Sequence, residues 1–333
     1  MKVMLLVMDE QRVILDWLYE SIKNSCESCT IFRLSGRQQR NLGHFLSSVD
    51  FRAYDRVVIF TRVKRQITQL AVLKCIPGLV FFEHDAYQNY MVGSKYFGAY
   101  SDLYLKLPWA RALVSGCGVA RQLRDEGVDA VFVSKGYDEH MLRNLERPRD
   151  IDVGFLGSLV SGEYSGRKAI LEEIASRTHL HVARTRSGQE YLETLNRIRI
   201  FVSADVGMGE YMIKNFEAMA CGCVLLAYSQ GAEEDAAIGF EDGRNVMLYR
   251  SADEAVERIE RLLAEPALAD QIARAGQIFV EQRYTFARVG HDLAKAIEQP
   301  MRPWPGVPGW LRLWVRLRYG LKVGGLLRPA SLR

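Results

Sequence analysis

Gly209–Ala227 reads GEYMIKNFEAMACGCVLLA, a loop, a helix and a strand in nineteen residues. The loop runs into a helix near Ile213, with Glu217 inside its first turns. The small residues Ala218, Ala220 and Gly222 close that helix, and Val224–Ala227 is apolar throughout, as in a strand buried on both faces. A helix that starts behind a strand presents free amides and the positive end of its dipole, a setting that favours phosphate. Glu217, an acceptor only when ionised, can take two hydroxyl donors such as those of a ribose. Lys214, near the helix start, can neutralise a diphosphate.

Outward from this stretch the same alternation repeats. Val153–Leu156, His179–Ala183 and Ile198–Ser203 read as strands, separated by helical Lys168–Ser176 and Gly188–Asn196. Downstream, Asp253–Leu263 and Ala267–Arg283 carry apolar residues at three- and four-residue spacing, as amphipathic helices do. The first part of the chain has its own series. Its strands are Met1–Met8, Cys29–Leu34, Arg56–Thr61, Gly78–Phe82, Ala112–Ser115 and Ala130–Ser134. Helical spacing lies between them over Arg12–Lys23, Gln66–Cys75 and Val119–Glu126. Such alternation predicts an α/β fold of parallel sheets covered by helices. Tyr137–Asp152 (YDEHMLRNLERPRDID) is highly charged and contains Pro148, so it reads as a linker. The expected organisation is a Rossmann-like domain over 1–140, a linker over 141–152, and a second Rossmann-like domain over 153–299, whose last helix can pack back on the first. A tail follows over 300–333. Two such domains leave a cleft between them, a common place for a ligand.

The residues FEAMACG (Phe216–Gly222), with KN before them and CVLLAYSQGAEED after them, resemble the C-terminal signature of the group 1 glycosyltransferases. The resemblance runs on through FEDGRNVMLY (Phe240–Tyr249) and AGQIFVEQRYTFARVGHDL (Ala275–Leu293), and covers roughly 152–293. It is nearest to a compact subgroup that includes the CgeB-like spore-coat proteins. The resemblance implies the GT-B fold, with two Rossmann-like domains facing a cleft, and retaining, metal-independent transfer from a nucleotide sugar, UDP- or GDP-linked. It implies a hydroxyl acceptor on a glycan or glycolipid, in cell-surface polysaccharide synthesis, and no cofactor. By the same resemblance Glu217 holds the nucleotide ribose, and Lys214 and Arg167 bind the diphosphate. Gly157 and Ser158 open the phosphate-side loop GSLVSGEYSG (Gly157–Gly166). Glu210 matches the acidic residue that contacts the donor sugar, although six residues separate it from Glu217 where the family has seven. His84, in FFEHDAYQ (Phe81–Gln88), matches the histidine that positions the donor sugar across the cleft. Met8, Asp9 and Glu10 stand where the family often carries a glycine pair. The implied chemistry is front-face attack by the acceptor hydroxyl, with the leaving phosphate taking its proton and Lys214, Arg167 and helix amides stabilising the developing charge. A different class stays open: a GT-B protein that binds a glycan or a partner without catalysis, to which the glutamate spacing and the missing glycine pair point.

Composition limits the remaining classes. Hydrophobic residues make up 48% and charged residues 25% of 333, the balance of a folded globular chain long enough for two domains. The formal charge of +4 is unevenly placed. Met301–Arg333 holds seven of the 44 Lys and Arg and none of the 40 Asp and Glu, so the body carries about −3 and lacks the basic surplus of a nucleic-acid binder. Cys26 and Cys29 form a lone CxxC without the second pair a zinc site needs, and the six cysteines read as reduced thiols of a cytoplasmic protein. MKVMLLVMDE is too short in its apolar part for a signal peptide, and no run approaches the roughly 20 apolar residues of a membrane span. In the tail, MRPWPGVPG (Met301–Gly309) is a Pro/Gly linker, and beyond it Trp310, Leu313, Trp314, Leu317 and Leu321 recur at helical steps with Arg312 and Arg316 opposite. That pattern suits the headgroup region of an anionic bilayer, and places Trp310–Arg333 on the inner face of the plasma membrane. The alternative is a helix packed on its own domain or on a dimer partner.

Overall fold

Two parallel sheets organise the computed structural model, which describes residues 1–10, 13–159 and 165–323. The first contains Lys2–Met8 (β1), Ser28–Leu34 (β2), Arg56–Phe60 (β3), Leu79–Glu83 (β4), Arg111–Val114 (β5) and Asp129–Phe132 (β6), in the order β2-β1-β3-β4-β5-β6. The second contains Ile151–Leu156 (β7), His181–Ala183 (β8), Ile198–Ser203 (β9), Val224–Tyr228 (β10) and Met247–Tyr249 (β11), in the order β11-β10-β9-β7-β8. Their central strands are apolar runs buried throughout, such as Val3–Val7 and Val224–Ala227, because helices cover both faces.

The first lobe carries helices Asp16–Ser25 (α1), Gly36–Arg40 (α2), Leu42–Ser48 (α3), Val63–Ile67 (α4), Leu70–Leu73 (α5), Ala99–Leu105 (α6) and Cys117–Asp125 (α7). The second carries Ser165–Ala175 (α8), Gln189–Arg197 (α9), Ile213–Ala220 (α10), Ala232–Ile238 (α11), Ala252–Ala264 (α12) and Pro266–Arg283 (α13). Phe286–Glu298 (α14) and Gly309–Tyr319 (α15) return to the first lobe. Both sheets begin with the same winding: the second strand lies outside the first, and the third lies on its other side. Strand order therefore reverses between β1 and β3, and again between β7 and β9. Such switch points open a crevice beyond the carboxyl ends of the strands.

The predicted single helix over Gln66–Cys75 is two short helices, α4 and α5. The break falls at Gln69, whose amide nitrogen donates to the carbonyls of Gln39 (2.7 Å) and Arg65 (2.9 Å) while its oxygen accepts from the Leu42 amide. A buried glutamine used to join neighbouring segments replaces helix continuity there.

The chain passes between the lobes twice, side by side. Leaving β6, the Tyr137 amide donates to Tyr284 O (2.9 Å), and the Phe286 amide donates to Tyr137 O (2.8 Å). Helix α14 then lies along α1 so closely that a Cβ at Gly290 would stand 2.5 Å from Ser21 Cβ. Arg111 and Arg56 hold the carbonyl end of α14, donating to Ala296 O (2.9 Å) and Ile297 O (3.1 Å), where a cation complements the helix dipole.

Helix α15 also packs on the first lobe, through Leu311, Val315 and the following Leu321, all buried beside residues of α3 and α5. Leu321 therefore departs from the stripe predicted for the tail. Trp310, Leu313, Trp314 and Leu317 remain exposed on the outer side. The last ten residues of the predicted tail, 324–333, lie outside the described residues, as do 160–164 of the phosphate-side loop and Arg12 of the first predicted helix.

Candidate active site

Helix α10 has a defined stop. Gly222 adopts φ 76°, its amide donates to Met219 O (2.9 Å), and the Cys223 amide donates to Ala218 O (3.0 Å), which completes a Schellman cap. Glycine is needed there for a second reason. A Cβ would lie 2.4 Å from Nδ2 of Asn144, a residue of the segment crossing between the lobes. Asp205 organises the other end: its Oδ2 accepts from the Met212 amide (3.2 Å), Asn215 Nδ2 (2.8 Å) and Ser203 Oγ (3.1 Å). The start of α10 is thereby tied to the end of β9.

Lys214 and Glu217 stand three positions apart on α10, on one face of the helix. Both line a cleft of about 250 Å³ at the second switch point, with Gly157 and Ser158 from the end of β7, and Arg184 and Tyr191 beyond β8. The first lobe contributes Val13 and Ile14 to the opposite wall. Gly157 lets the lysine pass, because a Cβ there would stand 2.8 Å from Lys214 Nζ and 2.7 Å from the Phe155 ring. Lys214 Nζ donates to Leu156 O, and burial lowers its pKa. Tyr191 Oη donates to Glu217 Oε2 (2.6 Å), which fixes the carboxylate and leaves Oε1 without a hydrogen bond from the described residues. Burial raises the pKa of Glu217, opposed by the Tyr191 hydrogen bond and the charge of Lys214. The result is an acceptor oxygen and an ammonium side by side in a partly closed cleft.

Four of the expected residues, Gly157, Ser158, Lys214 and Glu217, are thus brought together. Arg167 stands apart from them. It is buried, with Nη2 on Asp205 Oδ1 (2.8 Å) and Nε on Ala204 O (3.3 Å), and does not line the cleft. Glu210 is also outside it and fully buried. Its Oε1 pairs with Lys135 Nζ at 3.0 Å and its Oε2 accepts from Ser115 Oγ at 2.8 Å, both partners belonging to the first lobe. Burial raises its pKa against the opposing pull of Lys135. His84 follows β4 directly, between the rings of Phe60 (5.3 Å) and Phe82 (4.8 Å), and its Nε2 is buried with no hydrogen-bond partner among the described residues. Burial, then the charge of Lys135, brings its pKa down to about 3, so the imidazole is neutral at neutral pH. Tyr191, Arg184 and Asp205 carry no local motif that singles them out; only the strand-end position of Asp205 gives a signal in the sequence.

Residues 133–295 match the family model described as glycosyl transferase-like. No curated protein matches the chain at a significant level. Among solved structures it is similar to HepE of Anabaena in complex with UDP and glucose, with 12% identity and a TM-score of 0.66 over 90% of this chain and 100% of that one. It is similar to the sucrose-phosphate synthase of Thermosynechococcus elongatus, with 12% identity and a TM-score of 0.65 over 89% and 98% of the two chains. It is also similar to BGT of phage T4 in complex with UDP-glucose, with 13% identity and a TM-score of 0.55 over 90% and 100%. At such identities these likenesses speak for the fold. The match over 133–295 makes that part of the chain glycosyl transferase-like, and the paired parallel sheets give the chain the GT-B fold of a glycosyltransferase.

Proposed function

We propose that the cleft beside α10 binds the nucleoside diphosphate of a nucleotide sugar, and that the chain moves the sugar, with retention and without a metal, to a hydroxyl of a glycan or glycolipid. One observation carries the reading: Lys214 and Glu217 face the same cleft from one side of α10, at a switch point where the fold opens a crevice. Glu217 Oε1 is an acceptor for a ribose hydroxyl. Lys214 and the amides at the start of α10 supply positive charge for the leaving diphosphate. Structurally similar proteins bound to UDP, to UDP and glucose, and to UDP-glucose favour a uridine carrier. The neutral imidazole of His84 suits a hydrogen bond to a donor sugar rather than a charge contact. The FEAMACG signature favours the compact CgeB-like subgroup.

Calorimetry with UDP and UDP-glucose tests the site. Glu217→Gln keeps the shape and the Tyr191 contact but removes the charge, and is expected to weaken UDP binding roughly 10- to 100-fold, the worth of a charge-assisted hydrogen bond. Its melting temperature should stay near that of the parent. Unchanged affinity would remove Glu217 from the site.

Attachment to an anionic membrane surface belongs to the same reading. Trp310, Leu313, Trp314 and Leu317 recur at three- and four-residue steps on the outside of α15, with Arg312, Arg316 and Arg318 exposed beside them. An exposed Trp-rich stripe edged by arginines suits the headgroup layer of a bilayer's inner face. Among the described residues no helix is long and apolar enough to cross a membrane.

A further inference from the structure

We propose that a second cavity between the lobes seats a neutral sugar ring of the acceptor; this rests on the reading that the cleft of Glu217 takes the nucleotide sugar. The cavity holds about 480 Å³, within the range of small-molecule sites. From the first lobe it is lined by Tyr87 and Tyr90 after β4 and by the start of α7 at Gly118. From the second lobe come Gly207–Gly209 of the loop between β9 and α10, and Gln230–Glu234 around the start of α11. The loop after β9 therefore reaches both cavities, with Gly209 on this one and Ile213 on the nucleotide cleft. Four Cα-to-Cα steps of chain separate those two points by at most about 14 Å.

The lining selects the class of ligand. Glu234 is 3% exposed, and its Oε2 accepts from the amides of Cys117 (2.7 Å) and Gly118 (3.1 Å). Its Oε1 is buried with no hydrogen-bond partner among the described residues, a cost that a donor from a ligand would remove. Arg121, the one cation among the described residues of the lining, is already held by both oxygens of Glu233 at 3.0 Å. Two acidic side chains and a spent arginine disfavour an anion and favour a neutral ligand that carries hydroxyls. Tyrosine rings beside polar groups meet the two faces of a pyranose, one apolar and one hydroxylated. Gly207, Gly209 and Gly231 keep side chains out of the space.

Saturation-transfer NMR with the methyl glycosides of glucose, galactose and mannose, read with and without UDP, tests the assignment, while calorimetry follows UDP separately. The parent protein is expected to transfer signal to at least one glycoside, more strongly with UDP bound. Gly118→Leu is the blocking variant: a Cβ at Gly118 meets nothing within 4 Å, and leucine favours the helix more than glycine does. It should weaken the glycoside signal at least tenfold with UDP affinity within twofold of the parent and no drop in melting temperature. Glu234→Gln should weaken the signal as well. The absence of contact with every glycoside, or a signal that survives Gly118→Leu, overturns the proposal. A signal displaced by UDP-glucose but not by UDP would seat the donor's sugar there, and overturns it too. Failure of UDP itself to bind appears in calorimetry alone, and strikes the nucleotide reading beneath.

Discussion

Glu234 keeps its proton to about pH 7, because burial disfavours its charge more than the amides of Gly118 and Cys117 favour it. Its folded pKa lies above the ordinary 4.5, so between pH 4.5 and 7 the folded chain binds more protons than the unfolded one. The contribution to stability is complete below pH 4.5 and is lost as pH rises through 7, no more steeply than about 1.4 kcal/mol per unit. Glu234→Gln lacks this slope. Urea unfolding at pH 5 and pH 8 should show the variant gaining on the parent at the higher pH, and an equal difference at both would contradict the burial argument. Legibility at this scale followed the range of the contacts. Lys214 and Glu217 are three residues apart in a signature, and their shared cleft could be read directly. Ser115 and Glu210 are 95 residues apart, and nothing local announces that a glutamate so close to the signature is spent joining two lobes. Arg167 is similar: it stands at the expected place in the chain, yet Asp205 takes its charge.

Among the elements, α15 divides its apolar residues between two faces. Leu311 and Val315 are buried in the first lobe, while Trp310 is 70% and Leu317 78% exposed. Periodicity alone gave an apolar stripe but could not say which side has a partner. Only tertiary contact settles that, and removal of the whole tail would strip cover from the core. Trp310→Ser, Trp314→Ser and Leu317→Ser combined leave the buried face intact. This triple variant is expected to lose co-sedimentation with phosphatidylglycerol vesicles and to keep the parent's melting temperature; unchanged sedimentation would leave the outer face of α15 without a membrane role. Strands were the most legible elements, because a parallel sheet covered on both faces needs apolar runs that few other structures contain. The short α4 and α5 were not, since their interruption at Gln69 depends on partners as far off as Gln39.

At the level of the whole molecule, charge joins the lobes where Lys135 meets Glu210, and at the α7–α11 contact, where Arg121 pairs with Glu233 and the amides of Cys117 and Gly118 donate to Glu234. The first is enclosed at both ends, so Lys135→Met should leave an uncompensated buried carboxylate and cost about 3–5 kcal/mol. Restoration by Lys135→Met with Glu210→Met in one chain would show that the penalty lies in the stranded charge, whereas equal losses in both would show that it does not. The two passages of the chain, at Tyr137 and at Tyr284–Phe286, lie against each other like the spine of a book. Any parting of the covers must turn about that line. The cleft of Lys214 and Glu217 is bordered by Asp138 and Phe286 and so lies near the spine, where pages scarcely move; no residue of either passage borders the second cavity. Turned about such a pivot, the molecule would keep the proposed donor gripped while the far margin gapes to admit a second substrate.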